Sequence, residues 1–202
     1  MKKKTIGNKF GIIVVTLALS MAMLAGCGNT SDRNADEVST EEAADPAGMV
    51  HLESAEDVTQ FMDEVYGGVG QDLLPMNVTT TELDLGQNDM VEYHTGLVAP
   101  DGIAGIYLSE SMITSTAYSA IYIRTNDEVD AETIRQQLMD SVNPAKWVCV
   151  TAEKQSAVIL GNDVFFVMGF TDTADAVIEQ AIEAAKKRDM KVSDTLEKSN
   201  PI

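Results

Sequence analysis

The stretch from Ala157 to Met168, AVILGNDVFFVM, decides the fold because it holds two apolar runs separated by a turn signal. Gly161-Asn162 is a pair typical of two-residue β-hairpin turns, since both residue types tolerate a positive φ. The flanking runs are rich in β-branched and aromatic residues, which favour strands. The sequence therefore predicts that residues 157–160 and 164–170 form a hairpin.

The remaining apolar residues predict the other elements of the fold. Alternating patterns predict five further strands, over 77–85, 91–98, 103–108, 119–125 and 147–152. Apolar residues at helical spacing predict three helices, which begin after Ser54, after Asp130 and near Thr173. Because helices interrupt runs of strands without strict alternation, we expect an α+β fold. It would be a single domain with a mainly antiparallel sheet of about seven short strands and three helices.

The N-terminus has the pattern of a lipoprotein signal. Four lysines in the first nine residues precede an apolar run over 10–24, and Leu24-Ala25-Gly26-Cys27 matches a bacterial lipobox. We expect a diacylglyceryl group on the Cys27 sulfur, cleavage before that residue, and a lipid anchor on the extracytoplasmic face of the cell membrane. The alternatives are an ordinary secreted protein or a single-pass membrane protein, although the run falls short of the ~20 residues that usually span a bilayer.

These signals divide the chain into four parts. Residues 1–26 are the predicted signal peptide, and 27–50 are a lipidated, acidic tether too poor in apolar residues to fold. Residues 51–190 are the predicted α+β domain, and 191–202 a frayed C-terminal tail. A flexible tether of this length reaches roughly 25–30 Å, enough to hold a domain clear of lipid headgroups.

The charge balance excludes one class of partner. Of the 14 Lys and Arg, four lie in residues 1–26, whereas all 32 Asp and Glu lie after them, so the part from Cys27 onwards carries a net charge of −22. Nucleic-acid binding depends on basic residues that neutralise phosphates, and we expect none here. Cationic peptides, divalent metal ions and basic protein surfaces remain open as partners.

Several tracts together resemble a known family. The tract SESMITS at 109–115 leads into AIYI at 120–123; a helix, VNPAKWVCV at 142–150, and a Gly-Asn-Asp turn into VFFVM at 164–168 follow. This arrangement is similar to the small lipoproteins of Gram-positive anaerobes classified only as a domain of unknown function. The resemblance covers roughly residues 53–170 and the lipobox. It implies a cell-surface lipoprotein with one α+β domain, and no activity or site residue.

Catalytic chemistry has few candidate residues. The only imidazoles belong to His51, at the junction with the tether, and His94. On the predicted strand 91–98, Glu92 and His94 would face the same side, which would suit acid–base chemistry in a hydrolase directed at the cell wall. A solvated strand face explains the same pattern, and no Gly-x-Ser-x-Gly elbow is present.

Thiol and metal chemistry are as sparsely supported. Cys149 lies in the predicted strand 147–152, where we expect a buried and inert thiol. Zinc needs clustered Cys and His, and we expect no cofactor. The densest oxygen ligands are Asp127, Glu128, Asp130 and Glu132. These four predict either a divalent-cation site or, more simply, the capping of a helix N-terminus.

The sequence therefore predicts a binding or accessory lipoprotein, lipid-anchored and non-catalytic, with an unknown protein or small-molecule partner. Its best candidate contact surface is the hydroxyl-rich loop Ser109–Tyr118. The alternatives are the hydrolase with Glu92 and His94 and a divalent-cation-binding protein.

Overall fold

The computed structural model describes residues 50–98, 101–111, 116–126 and 128–200. The predicted signal peptide, Cys27 and nearly all of the predicted tether lie outside these residues. The described chain forms four helices and six strands, in the order α1 (Ala55–Gly68), β1 (Val78–Glu82), α2 (Asn88–Thr95), β2 (Ile103–Ser111), β3 (Ser119–Thr125), α3 (Ala131–Ser141), β4 (Lys154–Leu160), β5 (Asp163–Gly169), α4 (Thr171–Lys186) and β6 (Leu196–Ser199).

The strands form one open antiparallel sheet in the order β1-β2-β3-β5-β4-β6. Every neighbouring pair is antiparallel. After β3, helix α3 carries the chain past the sheet position beside β3, so β4 lies one position further along. The turn between β4 and β5 then returns the chain, and β5 occupies the position between β3 and β4. The protein is therefore α+β with an antiparallel sheet, as the sequence predicted.

Helices cover both faces of the sheet. Tyr122 and Phe165 pack with α1 and α4, whereas the alternate residues Ile121 and Phe166 pack with α2 and α3. Every residue of β5 is buried. A strand covered on both faces needs no polar alternation, which explains the continuous apolar run at 164–168. Both cores lie within residues 50–200, so this part holds the contacts that stabilise the fold.

Local signals in the sequence are confirmed at several elements. Leu160 pairs with Asp163 across the two-residue turn, and Gly161 has a φ of +64°. Ser54 and Asp57 form a reciprocal capping box at the start of α1. The Asp130 carboxylate accepts a hydrogen bond from the Glu132 amide at the start of α3.

The predicted strand over 91–98 was wrong, because residues 88–95 form helix α2. Its buried residues, Val91, His94 and Thr95, follow the three-to-four spacing of one helix face. The helix ends at Gly96, whose φ of +69° gives a left-handed C-terminal cap. The described residues therefore form four helices where the sequence predicted three.

Two further elements, both in the C-terminal part of the chain, differ from the sequence prediction. Residues 147–152, predicted as a strand, are irregular, because β4 begins only at Lys154 and both of its edges are occupied by β5 and β6. Residues 191–199, assigned to a frayed tail, contain β6, which pairs with β4 from Leu196 to Ser199. Since the predicted strands 91–98 and 147–152 do not form and β6 is added, the sheet has six strands where about seven were predicted. Within the described ranges, no helix is both long and apolar enough to span a membrane.

Candidate functional site

A cavity of about 470 Å³ opens at the end of the sheet where β2 and β5 finish and β3 begins. It lies between the α1–β1 connection, the two strand ends and the first turn of α4. Its lining residues are Asp72, Leu73, Leu74, Pro75, Met76, Ser111, Thr116, Phe170, Asp172 and Thr173. Cavities of roughly 300–1,000 Å³ are the usual size of small-ligand sites.

Two hydrogen bonds hold the α1–β1 connection against the rest of the site. The Thr173 hydroxyl donates to the Leu73 carbonyl over 2.8 Å, and the Ser111 hydroxyl donates to the Met76 carbonyl over 2.8 Å. Thr173 belongs to α4 and Ser111 to β2, so the connection is fixed at both ends. The α1–β1 connection, which forms one wall of the cavity, is therefore held in place by its hydrogen bonds to α4 and β2.

The cavity combines apolar walls with two carboxylates. Met76 is 72% exposed and Phe170 is 42% exposed, and both line the cavity, so the cavity presents apolar surface to a ligand. Asp72 and Asp172 are exposed and come from different elements. No Lys, Arg or His is among the described lining residues.

The predicted contact loop Ser109–Tyr118 contributes to this cavity with its two ends. Strand β2 continues to Ser111, so the loop is shorter than expected, and residues 112–115 lie outside the described part of the chain. Ser111 and Thr116 line the cavity. Ser109 is buried instead, and its hydroxyl lies 2.7 Å from that of Thr80 on β1.

The structure does not bring Glu92 and His94 together as the hydrolase hypothesis requires. Two residues two positions apart on a helix point roughly 200° apart. Glu92 is exposed, whereas His94 is 8% exposed and has its Nδ1 3.7 Å from Oε1 of Glu110 on β2. The carboxylate next to His94 is therefore that of Glu110, which no sequence pattern indicated as a partner of His94.

Glu110 and Lys146 form a largely buried ion pair on the face of the sheet covered by α2 and α3. The Lys146 ammonium contacts the Glu110 carboxylate and donates to the Ser119 hydroxyl over 3.1 Å. Burial alone would raise the pKa of Glu110, but the nearby His94 imidazole and the Lys146 charge outweigh it and lower that pKa to about 2. Burial lowers the pKa of Lys146, against the attraction of Glu110.

The contact between Lys146 and Ser119 does not make a usable nucleophile–base pair. Ser119 has no exposed surface, and the Lys146 side chain is 3% exposed. A hydrolytic serine must reach the carbonyl of a substrate, and the described residues leave no path to this one. The cluster is best explained as an internal ion pair that fixes residue 146 against the sheet.

A second buried carboxylate, Asp163, lies at the opposite end of the sheet. It is fully buried and accepts hydrogen bonds from the amides of Leu52 and Thr125 over 3.0 Å each and from the Tyr122 hydroxyl over 2.9 Å. His51 Nδ1 lies 2.9 Å from Oδ1 of Asp163, the oxygen that also accepts from the Thr125 amide. From the sequence, Asp163 is expected only as part of a turn; the available signal for a buried carboxylate was an acidic residue directly before a fully apolar strand.

The contacts of Asp163, together with those of Asn162 and Arg124, hold the first described residues of the chain in place. The Asn162 amide donates to the Val50 carbonyl over 2.7 Å, and Arg124 donates to the carbonyls of Leu52 and Glu53 over 2.6 Å each. Residues 50–53 are thereby held against the hairpin turn. Strand β5 separates this end from the cavity by about 20 Å, at ~3.4 Å per residue.

The predicted metal and thiol sites have different outcomes. Among the described residues, no group of three or more Asp, Glu, His or Cys is placed to hold a metal ion. Asp127 lies outside those residues, and the Asp130 carboxylate accepts from the Thr133 hydroxyl and the Glu132 amide. Cys149 is exposed, so the expectation of a buried thiol was wrong: the irregular segment 147–152 has no neighbouring strand to cover it.

Comparison of the chain with protein-family models, with curated proteins and with solved structures found no match.

Proposed function

We propose that this protein is a lipid-anchored extracytoplasmic lipoprotein that binds its partner or ligand in the cavity between the α1–β1 connection and α4, and that it has no catalytic activity of its own. The observation that carries the binding role is the cavity itself, about 470 Å³ in volume and lined by apolar, hydroxyl and carboxylate groups. A mixed lining of this kind is typical of a site that recognises a small molecule or a short peptide segment.

The arrangement of the other polar groups supports a binding role over catalysis. Glu110, Lys146 and Asp163 are each engaged by partners within the fold. Neither buried cluster borders the cavity, whose own side chains include no imidazole or thiol among the described residues. His is the commonest general acid–base and a Cys thiolate a strong nucleophile, and the described lining offers neither.

The membrane address rests on the lipobox at Cys27. Two acyl chains on one residue anchor a protein stably, because each buried methylene contributes ~0.8 kcal/mol and a single chain is only marginal. The chain enters the domain at Val50, at the end of the sheet opposite the cavity.

The anchor is tested by mass spectrometry of the N-terminal peptide of the native, membrane-extracted protein. We expect a peptide that begins at Cys27 and carries a diacylglyceryl group, and loss of membrane retention in Cys27→Ser. An unmodified thiol, or a different processing position, would contradict the anchor.

The binding role is tested separately with a neutral probe. We would titrate 2-phenylethanol into the chain that starts at residue 28, which contains both cores, and follow backbone amide resonances by NMR. The proposal expects saturable shifts at Leu73, Ser111 and Thr173. Shifts confined to other regions, or no saturable shifts up to tens of millimolar, would contradict a binding site here.

A further inference from the structure

We infer that the cavity takes a ligand in which a cationic ammonium or guanidinium group is attached to an apolar body, an inference that rests on the proposed binding function. Two features of the lining combine to select this chemistry. One is a pair of carboxylates contributed by two different elements, and the other is the apolar surface of the remaining lining.

The carboxylates belong to Asp72, in the α1–β1 connection, and to Asp172, in the first turn of α4. The structure shows no Lys or Arg in contact with either side chain among the described residues, in contrast to Glu64, Glu110 and Asp175, which each pair with a lysine. The two charges on the cavity are therefore available to a ligand. A bound cation would be attracted by both of them and by the net charge of −18 on the whole chain.

The start of α4 does not offset this preference. A helix N-terminus ordinarily attracts anions through its free amides. Here the Glu153 carboxylate accepts from the Thr171 amide over 3.0 Å and from the Thr171 hydroxyl over 3.1 Å. Because the protein already supplies an anion at that position, the Thr171 amide is not left for an anionic ligand.

The apolar part of the ligand is required by the remaining walls. Leu73, Leu74 and Pro75 are only partly covered by the core, and Met76 and Phe170 are still more exposed. A hydrated metal ion or a small inorganic cation would leave this surface in water. An aromatic or aliphatic group would cover it, and the Phe170 ring can add a favourable cation–π contact.

The test compares three probes of similar shape and different charge: phenethylamine, 2-phenylethanol and 3-phenylpropanoate. Each is titrated at neutral pH and low salt into the chain starting at residue 28, and the shifts of Leu73, Ser111 and Thr173 are fitted. We expect the amine to bind most tightly, the alcohol more weakly, and the carboxylate most weakly. Added salt should reduce the preference for the amine and leave the alcohol unchanged.

Substitutions locate the charge selectivity. Asp72→Asn and Asp172→Asn should each weaken amine binding by about 1.5- to 5-fold, the range for a partly exposed ion pair, and leave binding of the alcohol unchanged. The matched control is Glu179→Gln, which removes an equal charge from an exposed position of the same helix outside the cavity. It should not change the ratio of amine to alcohol affinity.

The outcomes separate this inference from the proposed function. Equal binding of all three probes in the cavity would overturn the cation preference and leave the binding site intact. An equal loss of amine binding in Glu179→Gln would also overturn it, since the attraction would then come from the overall charge. Absence of binding by every probe would contradict the proposed function itself.

A second comparison distinguishes the two sources of this chemistry. A blocked Phe-Lys dipeptide and phenethylamine present the same aromatic and cationic groups, but only the dipeptide offers a backbone. Tighter binding of the dipeptide would assign the site to basic peptide segments, and tighter binding of phenethylamine to small organic amines. A preference for a blocked Phe-Glu dipeptide over Phe-Lys would overturn the inference.

Discussion

His51 and Asp163, 112 positions apart in the sequence, meet through a 2.9 Å contact between Nδ1 and Oδ1. The Asp163 carboxylate is fully buried and also accepts from Tyr122 and from two backbone amides. It thus joins the first residues of the domain to strands β3 and β5. Burial, followed by the charge of Asp163, raises the pKa of Tyr122 well above its usual range, so the phenol stays a donor to this carboxylate.

Asp163→Asn should destabilise the domain by about 3 kcal/mol, because the amide nitrogen of Asn presents hydrogens to groups that are themselves donors. Urea unfolding monitored by circular dichroism measures the change. Glu179→Gln, an exposed carboxylate replaced in the same way, should change stability by less than about 0.5 kcal/mol. If the urea midpoint of Asp163→Asn equals that of wild type, the Asp163 carboxylate does not stabilise the fold through these hydrogen bonds.

Glu110 predicts an acid-sensitive contribution to stability. Its folded-state pKa of about 2 lies below its ordinary value of 4.5, so the ionised form is favoured by folding. The stabilisation is therefore complete above about pH 5 and is lost as the pH falls from 4.5 towards 2, with a total size of about 3 kcal/mol. The measurement is the free energy of unfolding of wild type and Glu110→Gln across this range.

The difference between the two proteins should be largest at pH 5–7 and should shrink towards pH 2. Lys146→Met provides the complementary variant, since it removes the ammonium that favours ionised Glu110. Its acid dependence through Glu110 should be weaker than that of wild type. A difference between wild type and Glu110→Gln that stays constant from pH 6 to pH 2 would contradict the ion pair.

Two glycines give a matched test of the hairpin turn. Gly161 has a φ of +64°, and a Cβ there would lie 2.3 Å from the Val50 carbonyl oxygen. Gly161→Ala should therefore cost about 2 kcal/mol or more, from left-handed strain of ~1 kcal/mol and displacement of the entering chain. Gly67→Ala lies in α1 with open space around the added methyl and should be neutral or stabilising by up to about 1 kcal/mol.

Thermal or urea unfolding measures the stability of Gly161→Ala and Gly67→Ala. Equal stabilities would mean that residues 50–53 are not held against the turn. Proteolysis adds an independent readout, because Gly161→Ala should expose the segment around Val50 to cleavage before the rest of the domain unfolds.

Cys149 should react with a thiol reagent in the folded protein. Its side chain is exposed, beside Val148, which is 99% exposed. In the chain that starts at residue 28, which lacks Cys27, we expect one thiol to react with Ellman's reagent without denaturant, at a rate close to that of an unfolded thiol. Reaction only after addition of denaturant would show that residues 147–150 are covered in solution.

The sequence by itself determined the elements whose signals are local. The Gly161-Asn162 turn, the capping box of Ser54 with Asp57, and the cap at Asp130 depend on residues a few positions apart, and each formed as predicted. The antiparallel α+β class followed from the same short-range patterns. For the site, the sequence indicated the region around Ser111 and Thr116 but not the cavity that they line.

Tertiary structure decided the rest, because the deciding contacts join distant segments. The sequence of residues 88–95 is compatible with an alternating strand as well as with a helix, and burial of one face against β2 and β3 favours the helix. Residues 196–199 form a strand because β4 offers a free edge with which they pair. The cavity arises where α4, β2 and the α1–β1 connection meet, and the burial of Asp163 needs partners from two distant segments, residues 51–52 and strand β3. The spacing of apolar residues along a chain indicates which residues are buried. Only the packed fold determines which of those residues contact one another.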